Sequence, residues 1–333
     1  MPTPLIRKAM ILCAGLGTRL RPITHQIPKP LVPVLNLPNL MYQIALLESA
    51  GVEEIAINLH HLPDAIENFL NEATGLKTRF HFLHEPILLG TGGGVKNAEK
   101  FFGRERFILM NCDFVSNVNL KPFVERHITG NRLATMLLIE DTKRQPLYSA
   151  VGVNQSGNLV QLPKAQLETP QRIGIFTGIH ILEAETLENL RSEPCGINDI
   201  LYPKLMSSSA ARVSGEFLGE EYWLDTGDIP TYFETSMELL KRFSEADPFL
   251  KDLFKKHQVE FKQELAAQSV PSLVAEDCQL GNTTLTKQMI IGEGCLIRDH
   301  LKLERSIVLA NSTVTQNIFE CLVYGDLAIP IHA

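Results

Sequence analysis

"CAGLGTRLRPITHQIPKPLVPV", residues 13–34, opens on the last two residues of an apolar run, Ala9–Ala14, that is too short for a helix. Such a run, broken at once by a Gly/Thr loop, reads as a buried strand of a parallel sheet. The loop carries Gly15, Gly17 and Thr18, then Arg19 and Arg21, and sets Lys29 between Pro28 and Pro30. Glycine leaves backbone N–H groups free to converge on an anion, and the arginines add guanidinium donors to the same rim. The two prolines restrict where the lysine ammonium points. The third glycine of the dinucleotide fingerprint is missing, as is the Gly-Lys-Ser/Thr of a P-loop, which sets aside a Rossmann dehydrogenase and a Walker ATPase.

Outward from this loop, strand-like and helix-like runs alternate. Residues 39–50 have apolar positions at helical spacing with Gly51 as a stop, 54–59 read as a strand, and 63–73 read as a helix with Pro63 at its start. Residues 79–84 and 106–111 read as strands, with a helix beginning near Gly94 between them. Short links between such elements imply a doubly wound α/β domain with its ligand site at the carboxyl ends of the strands. Residues 134–140, 150–154 and 174–182 look like further strands with longer insertions, where a sugar-sized pocket is expected, and 229–267 read as charged helix. After Pro271 the pattern changes: Leu285, Ile291, Ile297, Leu303 and Leu309 stand six residues apart. A period of six with small turn residues marks a hexapeptide β-helix, in which each aliphatic residue points into the coil. The expected fold is therefore α/β, a doubly wound Rossmann-like mixed sheet over 1–268 followed by a short left-handed hexapeptide β-helix over 269–333.

The chain has 333 residues, 44% of them apolar and 21% charged, enough for a sizeable core and about two domains. It holds no apolar run of membrane-spanning length and no long apolar segment at its start, so neither membrane insertion nor export is expected and the cytoplasm is the expected location. Six dispersed cysteines without a C-x-x-C pair argue against zinc and against a disulfide framework, leaving buried free thiols. A net charge of −7 offers no general attraction for nucleic acid, so any phosphate site is local.

"GLGTRLRPIT" followed by "PKPLVPV" closely resembles the signature of the sugar-1-phosphate nucleotidyltransferases, the nucleotide-sugar pyrophosphorylases. The resemblance implies that Ala14, Gly15, Gly17, Thr18 and Arg19 grip the triphosphate of a nucleotide and that Lys29 contacts phosphate at the reacting centre. "LLGTGGGVKNA" (88–98), with Glu85 before it, resembles the family segment whose backbone lies near the base and ribose, which implies nucleotide-binding roles for Glu85, Gly90, Thr91 and Gly92. Its form is closer to guanylyltransferases than to thymidylyltransferases, and uridylyltransferases share much of it.

"ILMNCDF" (108–114) and "YWLDTGD" (222–228) match the segments carrying the family's two Mg²⁺-holding aspartates, which implies that role for Asp113 and Asp225. Cys112 stands where Gly is common and Asp228 where Thr is common; neither removes a ligand, and hard carboxylate oxygens suit Mg²⁺. On the sugar side, Gly152, Thr177 and Gly178 resemble pocket segments. The family's Glu-Lys-Pro is replaced by "VQLPKAQ" (160–166), leaving Lys164 or Arg172 to supply the ammonium or guanidinium. His60-His61 reads as a loop pair, Trp223 as packing, and "FKKHQ" (254–258) as a solvated helix face. The resemblance implies transfer from an NTP to a sugar 1-phosphate, with GTP and mannose 1-phosphate favoured, Mg²⁺ as cofactor and a homo-oligomer expected. Uridylyl transfer, a heptose 1-phosphate acceptor, and a catalytically silent nucleotide-sugar-binding subunit are the alternatives.

Overall fold

The computed structural model describes residues 6–141, 144, 148–259, 261, 262 and 271–331. In chain order the main elements are β1 (Lys8–Leu12), α1 (Asn39–Ala50), β2 (Glu54–Leu59), α2 (Pro63–Glu72), β3 (Arg79–His84), α3 (Gly90–Asn97), β4 (Phe107–Asn111) and α4 (Leu120–Thr129). After these come β5 (Ala134–Ile139), β6 (Ala150–Val153), β7 (Leu159–Leu162), β8 (Ala165–Gln166), β9 (Arg172–Leu182), α5 (Ile197–Ser209), β10 (Val213–Phe217), α6 (Ile229–Ser244) and α7 (Pro248–Lys256). The chain forms two compact units. One holds residues up to Leu16 together with Tyr42–Trp223, the other Gly17–Met41 together with residues from Leu224 on.

The first unit is a mixed sheet with the order β8-β7-β6-β9-β4-β1-β2-β3, and β5 joins β9 to β10. Strands β3, β2, β1 and β4 are parallel neighbours in that order. These are the apolar runs of the sequence, and they run parallel because helices return the chain across the faces. The long strand β9 pairs antiparallel with β4, β5 and β6, and its register shifts between Phe176 and His180. One face of the sheet buries Met10, Ala56, Leu109, Met136 and Val153 against Phe102, Leu201 and Tyr202.

Helix α3 begins at Gly90, not near Gly94. Three consecutive glycines have poor helix propensity, but the tight packing of residues 193–197 on them overrides it. The helical pattern expected to reach Ala267 stops at Lys256, and Phe261 instead bridges to Ala275. Residues 263–270, with the expected 268/269 boundary, lie outside the described residues.

In the second unit the tail is a coil of short parallel strands in three sheets. Ser272 pairs with Met289 and Met289 with Ser306, so these coils repeat every 17 residues instead of three full sixes. One flank is thus five residues long, and the inward column runs Val274, Ile291, Val308, Val323. Leu309, expected in that column, is buried outside it, while Ile297 and Leu303 point inward as expected. An antiparallel hairpin, Cys321–Tyr324 with Leu327–Pro330, closes the run. The coil is tied to its own unit: Arg305 bonds Glu234 of α6 at 2.8 Å, and Asn36 Nδ2 donates to Ile291 O at 2.9 Å.

His180 on β9 is wholly buried between Phe176 and Tyr202, with Nδ1 2.6 Å from the Tyr202 hydroxyl. Burial pushes its pKa down from 6.5 to about 3. The unfolded chain therefore takes up a proton near pH ~6.5 that the native state refuses until about pH 3. The stability linked to this group is complete above pH ~6.5 and falls on acidification, by about 1.4 kcal/mol per pH unit between roughly pH 6 and 4. Urea unfolding should show this slope in the native protein and lose it in His180→Gln; equal slopes would mean that the folded imidazole already carries its proton.

Candidate active site

The order β3-β2-β1-β4 reverses between β1 and β4, the place where open α/β sheets bind ligands beyond their carboxyl ends. The chain leaves β1 through Cys13, Ala14 and Gly15, and leaves β4 through Cys112 and Asp113. Cys13 and Cys112 are buried thiols that hydrogen-bond each other; burial, then that neighbour, raises Cys13 well above the ordinary thiol range, so it is inert. All six cysteines are free and five are buried. Gly15 is exposed, and a Cβ built on it meets no atom within 4 Å. Asp113 is half-buried. Gly178, at the shift in β9, has φ +84°, and a Cβ there would come within 3.0 Å of Asn111 Cβ; glycine lets β9 cross the end of β4. Thr177 donates to Leu137 O at 2.8 Å and accepts the Trp223 indole N–H at 2.7 Å, which gives Trp223 its packing role.

A relay of buried hydrogen bonds leads away from β1. Cys13 N–H donates to Asn58 Oδ1 at 2.8 Å, Asn58 Nδ2 donates to Glu85 Oε1 at 2.7 Å, and Leu89 N–H donates to Glu85 Oε2 at 2.9 Å. Both oxygens of Glu85 thus hold the fold, and the Glu85 carbonyl also pairs with His60 Nδ1 at 2.8 Å. Beyond Leu89, Cys195 N–H donates to Leu89 O at 3.0 Å and Gly92 N–H to Cys195 O at 2.8 Å. Ile197 N–H donates to Thr91 Oγ1 at 2.9 Å. Gly92 is buried, and a Cβ on it would lie 2.7 Å from Cys195 Sγ. Gly90 and Gly92 therefore let residues 193–197 press onto α3, whereas Gly15 keeps open space.

A pocket of about 500 Å³ in this unit is lined by Thr91, Tyr148, Lys164, Phe176, Asn198 and Asp199, among others. Apart from Thr91 it lies in the irregular region of the sequence, among residues 148–199. Lys164 Nζ lies 3.0 Å from Asp199 Oδ2. Arg172 points elsewhere: it bonds Glu140 at 3.0 and 2.7 Å and stacks 3.7 Å from the Phe217 ring centroid. Gly152 lies beneath Pro170, whose Cβ would be 2.5 Å from an added Cβ, so its place is in packing the strand.

In the second unit, Gly17 has φ +61° and an added Cβ would sit 2.8 Å from Thr24 Cγ2 and 3.1 Å from Lys29 Cβ. Thr24 Oγ1 donates to Gly17 O at 2.8 Å, closing the loop on Lys29. Thr18–Leu20 form one 3-10 turn, whose buried Leu20 leaves Thr18 and Arg19 exposed. Lys29 is half-buried between buried Pro28 and Pro30. Arg19 Nη1 lies 3.6 Å from Asp228 Oδ2, and a Cβ on Gly227 would be 2.9 Å from both Arg19 Nη2 and Asp225 Oδ1. Gly227 N–H donates to Asp225 Oδ1 at 2.8 Å, Thr235 donates to Asp225 O, and Asp228 caps α6. Loop and turn are joined by Asn39 Nδ2 to Thr226 Oγ1 at 2.8 Å and by the Tyr232 hydroxyl to Pro33 O. Among the described residues no three His, Cys, Asp or Glu side chains group to hold a metal by themselves. Carboxylates such as those of Asp113 and of Asp225 are the donor type that Mg²⁺ takes, few at a time, with water and phosphate oxygens filling its shell.

Residues 8–242 match the nucleotidyl transferase family model, and the chain belongs to that family, within its sugar-1-phosphate nucleotidyltransferases. It is 31% identical over 251 residues to a UTP–glucose-1-phosphate uridylyltransferase of Synechocystis sp., covering 71% of this chain and 64% of that relative, just under two thirds of its length. It is 28% identical over 332 residues to mannose-1-phosphate guanylyltransferase 1 of Arabidopsis thaliana, covering 98% of this chain and 83% of that relative. Among solved structures, a UDP-glucose pyrophosphorylase from Acinetobacter baumanii shares the fold with a TM-score of 0.62 at 20% identity, covering 75% of this chain and 98% of that one. No helix of the described residues is long and apolar enough to cross a membrane.

Sequence patterns missed Asn58, Asp199 and Gly227. A polar residue inside an apolar strand, as Asn58 stands in "EIAINL", was the one available signal; the other two show their places only in three dimensions. The contrast between glycines is testable. Gly15→Ala should leave thermal stability unchanged and weaken nucleoside triphosphate binding about tenfold, because the added methyl would stand in the open space beside the loop and hold a phosphate off the backbone N–H. Gly92→Ala should destabilise the fold by about 1–3 kcal/mol through overpacking against Cys195. Calorimetric unfolding and nucleotide titration separate the two, and the reverse pattern would exchange their roles.

Proposed function

We propose that the chain transfers a nucleotidyl group from an NTP to a sugar 1-phosphate, with GTP and mannose 1-phosphate the favoured pair, giving an NDP-sugar and pyrophosphate. The observation that carries the pair is the similarity to the Arabidopsis mannose-1-phosphate guanylyltransferase, which runs through the coiled tail over 98% of this chain. Uridylyl transfer to glucose 1-phosphate is the second reading, favoured by the higher identity to the Synechocystis uridylyltransferase over a shorter span.

In the proposed reaction an oxygen of the sugar phosphate attacks the α-phosphorus. The bond to the bridging oxygen of the β-phosphate breaks, and pyrophosphate leaves with that electron pair. The nucleophile is already ionised at neutral pH, so no side chain is needed to remove a proton. Gly15, Gly17 and Thr18 bind triphosphate oxygens through backbone N–H groups, and Arg19 and Lys29 neutralise charge that grows toward the leaving group. The Arg19–Asp228 pair, 3.6 Å apart with the arginine side chain 63% exposed, is weak enough to yield to phosphate. Asp113 and Asp225 would hold Mg²⁺, which when bound offsets phosphate charge. Cytoplasmic location and homo-oligomerisation through the coil belong to the same proposal.

The test is pyrophosphate release with Mg²⁺ from GTP, UTP, ATP, CTP and dTTP, each with a panel of sugar 1-phosphates. One productive pair is expected, GTP with mannose 1-phosphate. Asp113→Asn should lower kcat at least about 100-fold with an unchanged unfolding temperature. Full activity in that variant would remove Asp113 from the reaction, and silence of the native chain with retained nucleotide-sugar binding would make it a binding subunit.

A further inference from the structure

Lys29 stands on a segment that is bonded to the coil on both sides of it. Ahead of it in the chain, Gln26 Oε1 accepts the Tyr324 hydroxyl at 2.8 Å. Beyond it, Asn36 Nδ2 donates to Ile291 O at 2.9 Å. Tyr324 belongs to the hairpin that closes the coil and Ile291 to an earlier turn, so two separate turns hold one loop. Ile291 pairs with Val308 and Val308 with Val323, and this strand-to-strand bonding keeps the two anchor points at a fixed separation.

The backbone between the anchors is stiff. Lys29–Leu31 make one 3-10 turn after buried Pro28, and Asn39 N–H donates to Val32 O at 3.2 Å. Pro33–Val34 and Leu37–Pro38 pair antiparallel, which leaves Leu35 and Asn36 as a two-residue turn at φ +49° and +62°. Such a turn favours Asn or Gly, and leucine adopts it only where its surroundings impose it. Leu35 is 1% exposed and Asn36 is bonded to the coil, so the tip of this hairpin is fixed from outside. The coil also grips the helix that follows Asp225. Gln288 Nε2 donates to Met237 O at 3.2 Å, and the Arg305 guanidinium, bonded to Glu234, lies 5.2 Å from the Phe233 ring centroid.

We infer that the coil is the template that holds the charged loop ready for a triphosphate, with Tyr324 and Asn36 as positioning residues for Lys29, an inference that rests on the proposed nucleotidyl transfer. Both act through the loop backbone. A loop free to move would have to be ordered as the anion binds, and that entropy cost would appear as lost affinity.

The experiment is calorimetric titration of the full chain with inorganic triphosphate and Mg²⁺, a probe that carries neither base nor sugar. Tyr324→Phe and Gln26→Leu should each weaken binding about three- to tenfold, the worth of one hydrogen bond. The double variant should do no worse than the more affected single one, because the two side chains form one bond. Asn36→Gly, which tolerates the positive φ and loses the donor, should weaken binding to a similar extent. Lys287→Met, which breaks an ion pair with Glu304 inside the coil, should change nothing. In turnover the three loop-anchor variants should raise KM for the NTP more than they change kcat, with an unfolding temperature as in the native chain. A purely structural role would instead lower the unfolding temperature and kcat and leave KM alone. Unchanged triphosphate affinity in Tyr324→Phe and Asn36→Gly, an equal loss in Lys287→Met, or no binding to the native chain would overturn the inference. Weakened triphosphate binding in the anchor variants of a chain that releases no pyrophosphate would remove the proposed reaction and leave the role of the coil standing.

Discussion

The first unit depends on the side chain of Asn58. Its amide joins the N–H of Cys13, where β1 gives way to the glycine loop, to the carboxylate of Glu85, and both residues are almost fully buried. A buried amide or carboxylate without partners costs several kcal/mol, so each member of this relay is held by the next. Through Glu85 the constraint passes to Leu89, through Leu89 to Cys195, and through Ile197 and Thr91 to the first turn of α5. The start of the glycine loop and the wall of the pocket are therefore positioned by one connected set of hydrogen bonds.

The second unit solves a different problem, holding fixed charge in an exposed loop. Gly17 is crowded by Thr24 and Lys29, and Pro33 and Asn39 are tied to the helix and turn that carry Asp225. Long cations lose much rotamer freedom when held, so the rigid backbone under Arg19 and Lys29 lowers the entropy that binding an anion would otherwise cost.

Much of this was legible in the sequence where the pattern is local. The apolar runs of β1 to β4 and the helical spacing of α1 give those elements nearly to the residue, and the motif around Gly15 and Lys29 led to the right family. The glycines of 90–94 misled: their sequence suggests a loop before a helix, but they form the helix start because residues 193–197 need room for their backbone. Likewise the period of six in the tail placed Leu309 in the coil, where a five-residue flank puts Val308 instead.

Local patterns along the chain carry the family, the parallel core and the identity of the charged loop, because each follows from neighbours within a few positions of one another. Which of the two candidate cations lines the pocket follows from the packed fold alone. Lys164 turns inward from a two-residue hairpin to meet Asp199, while Arg172 is drawn away by Glu140 and the face of Phe217. The physical reason is that a long charged side chain goes to whichever acceptor the fold brings within reach, and Asp199 stands 35 residues along the chain from Lys164, at a separation no local pattern encodes.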